Sequence, residues 1–230
     1  MTVLPLQAFG IGDVIFSQQL VRTVANGNRI AWAVMDIFKI GLQRAYPDIE
    51  FIDQNGSGID FDIKEHKTIQ HGKYGDCVVL PIRWADSILR VPYNDCMRAK
   101  YDLYGMDYND WTRGAMWQRD AEREQALIKH VGFTGGSLGN ALFGSNCTSK
   151  VNLPKCDTQM QVISGYSLFD WAGIIEQASE IHTVNTSIIY LLEMLDLTAK
   201  EIHLYQRPIK GQSFDNVKYL LKRHRYILHG

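Results

Sequence analysis

Apolar and polar positions follow two periods along this chain, one near two residues and one near 3.6, and the two alternate from the start. Thr2 to Phe9 is an apolar run of strand length, weakened by Pro5. Proline has no N–H to give a ladder, so this strand suits an end or an edge. Gly10-Ile11-Gly12 makes a turn, and from Asp13 to Asn26 the apolar residues Val14, Ile15, Leu20, Val21 and Val24 keep helical spacing until Gly27 stops the helix. Arg29 to Val34 predicts a strand covered on both faces, Ile37 to Ala45 a helix ending at Tyr46-Pro47, and Ile49 to Ile52 a third strand. Three strands joined by two helices form a βαβαβ unit with right-handed crossovers and a parallel sheet.

Asp53 to Gly75 is polar and glycine-rich, and predicts a loop or small hairpin before the strand Cys77 to Ile82. A short helix follows over Cys96 to Leu103, ended near Gly105. Asp110 then caps a longer helix running to about His130, the bridge between two halves. The second half resumes with a strand at Val131 to Thr134, the loop Gly135 to Gly139, a strand at Met160 to Ser164 and a turn at Gly165-Tyr166. Ser167-Leu168-Phe169-Asp170 is a capping box opening a helix to about Ser179. A strand at Ile181 to Val184, a helix from Thr186 to Leu195, a strand at Lys200 to Tyr205 and a closing helix over 214–228 complete the pattern. The expectation is an α/β protein of two Rossmann-like halves, 1–120 and 121–230, with parallel sheets.

Composition narrows the function. The 230 residues are 46% hydrophobic and 21% charged, which excludes a disordered chain. Lys plus Arg number 24 against 25 Asp plus Glu, so no global basic field draws nucleic acid or an anionic membrane. No stretch approaches the roughly 18 apolar residues that cross a bilayer. The start, Met1-Thr2-Val3-Leu4-Pro5-Leu6, lacks the pattern of a signal peptide. Cys77, Cys96, Cys147 and Cys156 are scattered with no Cys-x-x-Cys, which fits a reducing compartment. A cytoplasmic protein is expected. The seven histidines show no metal-ligand spacing; His182 and His203 fall in short strands, where a satisfied, partly buried ring is the usual outcome. No metal and no cofactor are therefore expected.

Two places can meet an anion. Gly10 and Gly12 let the backbone turn tightly between the first strand and first helix, where unpaired N–H groups gather. Ile15 stands where a dinucleotide fingerprint requires a third glycine. Asp13 either caps this helix or faces the crevice at the carboxyl edge of the sheet. In the second half, Asn185, Thr186 and Ser187 lie between a strand and a helix, where they either cap the helix or hold a diphosphate. Gly165, Tyr166 and Ser167 occupy the same kind of position one unit earlier. Arg207 follows the next strand, either as a phosphate partner or as a surface arginine.

These segments resemble the GT-B glycosyltransferases, in particular the heptosyltransferase-like branch, and the resemblance implies two Rossmann-like halves facing each other across a cleft. Gly10-Ile-Gly-Asp13-Val-Ile-Phe-Ser17 is similar to that family's N-terminal glycine loop, and the resemblance implies Asp13 as the general base toward an acceptor hydroxyl. Gly165 to Trp171 and Ala178 to Ser187 resemble the donor-site pattern, in which a turn binds the donor phosphates. Asn185-Thr186-Ser187 replaces the family's acid-hydroxyl-glycine turn, so the implied phosphate contacts carry over by position. The implied reaction is metal-independent transfer of a sugar from a nucleotide-sugar donor to a glycan or other hydroxyl acceptor. Three other readings stay open: a non-catalytic nucleotide-sugar-binding protein, a sugar-nucleotide epimerase, and a transferase acting on modified DNA bases. The basic tail Lys218 to Arg225 is the local support for a nucleic-acid partner.

Overall fold

A computed structural model describes residues 1–141, 151–197, 200–207 and 213–230. The chain divides into two compact units, Met1–Gln118 and Arg119–Gly230. Cys147 lies outside the described residues. Among those described, no helix is long and apolar enough to cross a membrane.

The first unit opens with β1 (Thr2–Pro5), α1 (Ile11–Phe16) and α2 (Gln18–Ala25), then β2 (Arg29–Val34), α3 (Asp36–Ala45) and β3 (Glu50–Asp53). The hairpin β4 (Lys67–His71) and β5 (Gly75–Leu80) and the short helices α4 (Ala85–Leu89), α5 (Cys96–Asp102) and α6 (Trp111–Ala115) complete it. The sheet runs β3-β2-β1-β5-β4, parallel except where β4 pairs antiparallel with β5. Pro5 is thus compatible with the central strand because it is the strand's last residue. Leu6 N–H resumes pairing by donating to the Leu80 carbonyl at 2.8 Å. The first helix is interrupted at Ser17 into two, and Asn26 and Gly27, both with positive φ, turn the chain toward β2.

The helix expected from Asp110 to His130 does not exist as one element. Gln118 N–H bonds the Ala45 carbonyl at 2.8 Å and Tyr46 Oη donates to the Ala115 carbonyl at 2.8 Å, which draws the chain onto the end of α3. Helix restarts as α7 (Ala121–Val131), with the Asp120 side chain accepting from Arg123 N–H as its cap.

The second unit continues with β6 (Ser137–Asn140), β7 (Thr158–Gln159), α8 (Ala172–Gln177), β8 (Glu180–Val184), α9 (Ile188–Leu192), β9 (Glu201–Tyr205) and β10 (Tyr226–His229). Its sheet runs β10-β9-β8-β6-β7 with every pair parallel. Read from the opposite edge and counted within this unit, the order is the 2-1-3-4-5 of a flavodoxin-like sheet.

Several boundaries differ from the expected ones. Val131 closes α7, so the first strand of this unit is Ser137–Asn140 and includes residues assigned to the glycine loop. Gly139 fits a strand here because Gln159 of the neighbouring chain segment covers it: a Cβ would sit 2.5 Å from Gln159 Nε2. The strand expected at Met160 to Ser164 is only the pair Thr158–Gln159. The capping box is present, with Ser167 N–H and Oγ 2.6 and 3.0 Å from Asp170 Oδ2. It opens a 3-10 turn, Leu168–Trp171, that leads into α8. The helix after β8 is confined to Ile188–Leu192, shorter than the expected Thr186 to Leu195.

The closing helix over 214–228 is overturned. Two 3-10 turns, Phe214–Asn216 and Lys218–Leu220, lead into β10, which pairs with β9. The cause is Glu193, fully buried behind α9. Its Oε2 accepts from the backbone N–H groups of Lys222 and Arg223 at 2.8 and 3.0 Å, and its Oε1 accepts from Tyr226 Oη at 2.8 Å. Amides held by a carboxylate from another element cannot enter a helical ladder. The apolar spacing of this tail belongs to an edge strand and its approach.

Candidate functional site

Each sheet reverses winding direction at one place, and in open α/β sheets the crevice outside the carboxyl ends of the strands at that place is where ligands bind. In the first unit the reversal falls between β1 and β5. In the second it falls between β6 and β8.

Beyond β1 the chain runs through Gln7, Ala8 and Phe9 to Gly10. Neighbours on both sides fix this path: Trp32 Nε1 donates to the Gln7 carbonyl at 3.1 Å, Met35 N–H to the Ala8 carbonyl at 3.2 Å, and Arg83 N–H to the Leu6 carbonyl at 2.9 Å. The Arg83 guanidinium lies 4.8 Å from the exposed Phe9 ring, close enough for a cation–π contact. Gly10 has φ 78°, a conformation that excludes most side chains, and a Cβ there would meet Asp13 Oδ2 at 2.5 Å. The missing side chain makes room for the Asp13 carboxylate. Gly12 is buried within α1.

Asp13 makes no side-chain cap to its helix. Its Oδ1 is instead 3.2 Å from Lys100 Nζ, with the Asp13 side chain 35% exposed and that of Lys100 only 5%. Lys100 Nζ also donates to Gln7 Oε1 at 2.6 Å, and Gln7 Nε2 donates to the Phe9 carbonyl at 2.6 Å. The ammonium therefore ties the carboxylate to the end of β1 from below, and the carboxylate keeps one side open. Cys96 is close to this pair. Burial pushes its thiol up to about 11, with Lys100 pulling down and Asp13 pushing up, so it is protonated at neutral pH.

In the second unit, Asn185, Thr186 and Ser187 follow β8 and are all buried. Neither Asn185 nor Thr186 caps α9: the residue at the cap is Ser187, with no side-chain cap bond. Asn140, at the carboxyl end of β6, donates from Nδ2 to Thr183 Oγ1 at 3.0 Å and to Thr186 Oγ1 at 3.4 Å, bridging the two strands at the reversal. The Ser187 hydroxyl is buried with no hydrogen-bond partner. Asn185 N–H bonds the Tyr205 carbonyl at 3.2 Å, which puts Arg207, two residues past β9, at the same edge.

Gly165, Tyr166 and Ser167 are placed differently. They follow the edge strand β7, and the Gly165 carbonyl, the Tyr166 N–H and the Ser167 N–H and hydroxyl have partners within the unit. Arg123 donates to the Gly165 carbonyl, pairs with Asp170 at 3.1 Å and lies 5.1 Å from the Tyr166 ring. Gly165 has φ 84°, the turn's requirement.

Sequence reasoning missed Lys100, Gln7 and Asn140. Lys100 had a signal: it occupies the same helix face as Met97 and Tyr101, both buried, an uncommon place for a lysine without a partner. Gln7 and Asn140 sit at strand ends and carry no local signal.

Two successive units, each an α/β layer with polar residues at the switch-point edge, define a two-unit Rossmann-like fold. Comparison with solved structures makes the fold more specific. The chain is similar to a glycosyl transferase family 9 protein from Veillonella parvula, with a TM-score of 0.53 and 11% identity over 99% of this chain and 86% of that one. It is also similar to the iron-containing dodecameric glycosyltransferase TibC from enterotoxigenic E. coli, with a TM-score of 0.47 and 10% identity over 89% of this chain and 57% of that one. No protein-family model and no curated protein matches the sequence. The chain thus has a glycosyltransferase-like fold.

Proposed function

We propose that this protein is a glycosyltransferase that moves a sugar from a nucleotide-sugar donor to an acceptor hydroxyl without a metal in the transfer step. The observation that carries this reading is Asp13: a carboxylate at the switch-point edge that caps nothing, held from behind by buried Lys100 and open on its other side. A base in that setting is ready to take the proton of an incoming hydroxyl. Lys100 fixes its direction and Gly10 gives it space.

The donor is assigned to the second unit. The unpartnered Ser187 hydroxyl supports this, as do Thr186, Asn185 and Arg207 at one strand edge. Hydroxyl and amide donors with a guanidinium can stabilise the charge that builds on a departing diphosphate. Gly165, Tyr166 and Ser167 act through the shape of their turn. Free thiols at Cys77, Cys96 and Cys156 fit a cytoplasmic setting.

The test is a thermal-shift screen with nucleoside diphosphates and their sugars, followed by an assay for nucleoside diphosphate release with and without acceptor pools. A ligand that binds only the native state raises stability by about 2.7 kcal/mol at a hundredfold excess over its dissociation constant. Stabilisation by one nucleotide with acceptor-dependent release is the expected result. Binding without turnover would mark a nucleotide-sugar-binding protein, and interconversion of the free sugar nucleotide an epimerase. No shift with any nucleotide would end the proposal.

A further inference from the structure

Away from the carboxyl edge, the second sheet carries a histidine-rich patch that the transfer reaction does not use. The tripeptide Glu-Ile-His occurs twice, at 180–182 in β8 and at 201–203 in β9, and the strands pair in register so that His182 lies beside His203. Residues two apart on a strand share a face, so Glu180 and His182 point the same way. Glu180 Oε1 is 3.0 Å from His182 Nε2 and 3.0 Å from His203 Nε2, and one ligand atom from each of the three residues falls within 4.8 Å of the others. The two imidazoles are stacked at 4.5 Å between centroids, and their side chains are 8% and 14% exposed against 39% for Glu180.

The outer contacts suit a metal centre. His182 Nδ1 is 3.1 Å from Tyr205 Oη, and His203 Nδ1 is 2.9 Å from His229 Nε2. Each ring therefore has a partner on its far nitrogen, the arrangement that orients metal-bound histidines and fixes their tautomer. With both Nδ1 atoms protonated, two Nε2 lone pairs and a carboxylate converge with no donor among them. His203 Nε2 is buried and misaligned for hydrogen bonding, although Glu180 is near.

We infer that Glu180, His182 and His203 form a site for a divalent transition-metal ion of the zinc class, with water completing its coordination and Glu180 on the solvent side. Zinc takes such nitrogen and carboxylate oxygen ligands at about 2.0–2.2 Å, which sets neighbouring ligand atoms roughly 3.3 Å apart in a tetrahedron. The 3.0 Å contacts here are close to that spacing. The site is three strand residues from Asn185, about 10 Å at the strand rise, so the ion holds β8 to β9 and stays out of the transfer step.

The test uses the whole chain after chelator treatment. Titration with Zn²⁺ alone, read by calorimetry, should show one ion per chain and a raised melting temperature. Co²⁺ alone should give the visible absorption of a low-coordinate site with nitrogen and oxygen ligands. Glu180→Gln, at the exposed corner where folding is least at risk, should weaken Zn²⁺ binding by about tenfold or more. His182→Asn with His203→Asn should abolish it, and His71→Ala with His130→Ala should leave it intact. Protons compete with the ion for the imidazoles, so affinity should fall as the solution is made acid. The titratable groups facing the pair are Glu180, Glu201, His229, Tyr205 and Cys156. Absence of stoichiometric binding by the wild-type protein, or binding unchanged in Glu180→Gln, overturns the site. Neither result bears on nucleotide binding.

Discussion

Lys100 and Asp13 are joined at 3.2 Å across two elements that are 87 residues apart in sequence, with the lysine sealed and the carboxylate open. In the proposed transfer, replacing the open partner removes the reacting group, and replacing the sealed one removes its guide. Asp13→Ala is expected to leave the protein folded and to lower sugar transfer by about 10²–10⁴-fold, the usual worth of general-base assistance. Circular dichroism checks the fold and nucleoside diphosphate release checks the rate. Turnover that survives unchanged removes Asp13 from the mechanism.

Lys100→Met keeps an apolar stem and deletes the charge. Freed from its tie to Gln7, the carboxylate swings, and a misplaced reacting group costs up to about 10²-fold. The loss should fall on kcat, with KM for the donor unchanged, since the donor is assigned to the other unit. A rise in donor KM without loss of kcat would contradict this role.

Glu193 organises the tail through three hydrogen bonds to its carboxylate. Glu193→Ala should destabilise the chain by roughly 2–4 kcal/mol, the scale of losing hydrogen bonds to a charged acceptor. Amide exchange should then be faster in β10 and β9 than in β1 and β2. Denaturant titration with exchange mass spectrometry reads both.

The alternation of apolar runs was enough to read the α/β class, the βαβαβ start and the positions of β2, α3, β8 and β9, because those elements follow local periodicity. The tail misled for the opposite reason: its fate is decided by Glu193, 29 residues before Lys222, which no window contains. The break at Met116–Asp120 is likewise dictated by Ala45 and Tyr46. In the candidate site, the glycine loop and Asp13 were legible as a motif, while Lys100 and Asn140 reach it only through tertiary contact. The histidines show no metal-ligand spacing along the chain, and only the register of β8 against β9 brings His182 and His203 together.

Stability should depend on pH at both ends of the scale. Burial raises the pKa of Tyr46, Tyr101, Tyr104 and Tyr226 above the ordinary 10. The unfolded chain then loses these protons first, so stability present below pH 10 falls as pH rises further. For Glu50, burial pushes the pKa up, but Lys73, Tyr74 and Arg29 together outweigh it and bring it to about 2. Its contribution is present above about pH 4.5 and lost as pH falls toward 2. Glu50→Gln should flatten that acid limb in a urea-denaturation series, and absorbance of tyrosinate should show four rings titrating only with unfolding.

Gly114 sits where α6 crosses α2, and a Cβ there would lie 2.5 Å from the Gln19 Cα. Backbone cannot yield as a side chain can, so Gly114→Ala should cost about 1–3 kcal/mol in thermal or chemical denaturation.

The twin Glu-Ile-His segments also create an ambiguity that the sheet must resolve. Sliding β9 by two residues against β8 would keep every side chain on its proper face, setting Ile181 against Leu204 and Glu180 against His203. Greasy-versus-polar alternation cannot tell that mispairing from the native one. The proposed ion, which needs two imidazoles side by side, can, because only the true alignment sets His182 against His203. Such an ion would serve as a proofreader of strand alignment.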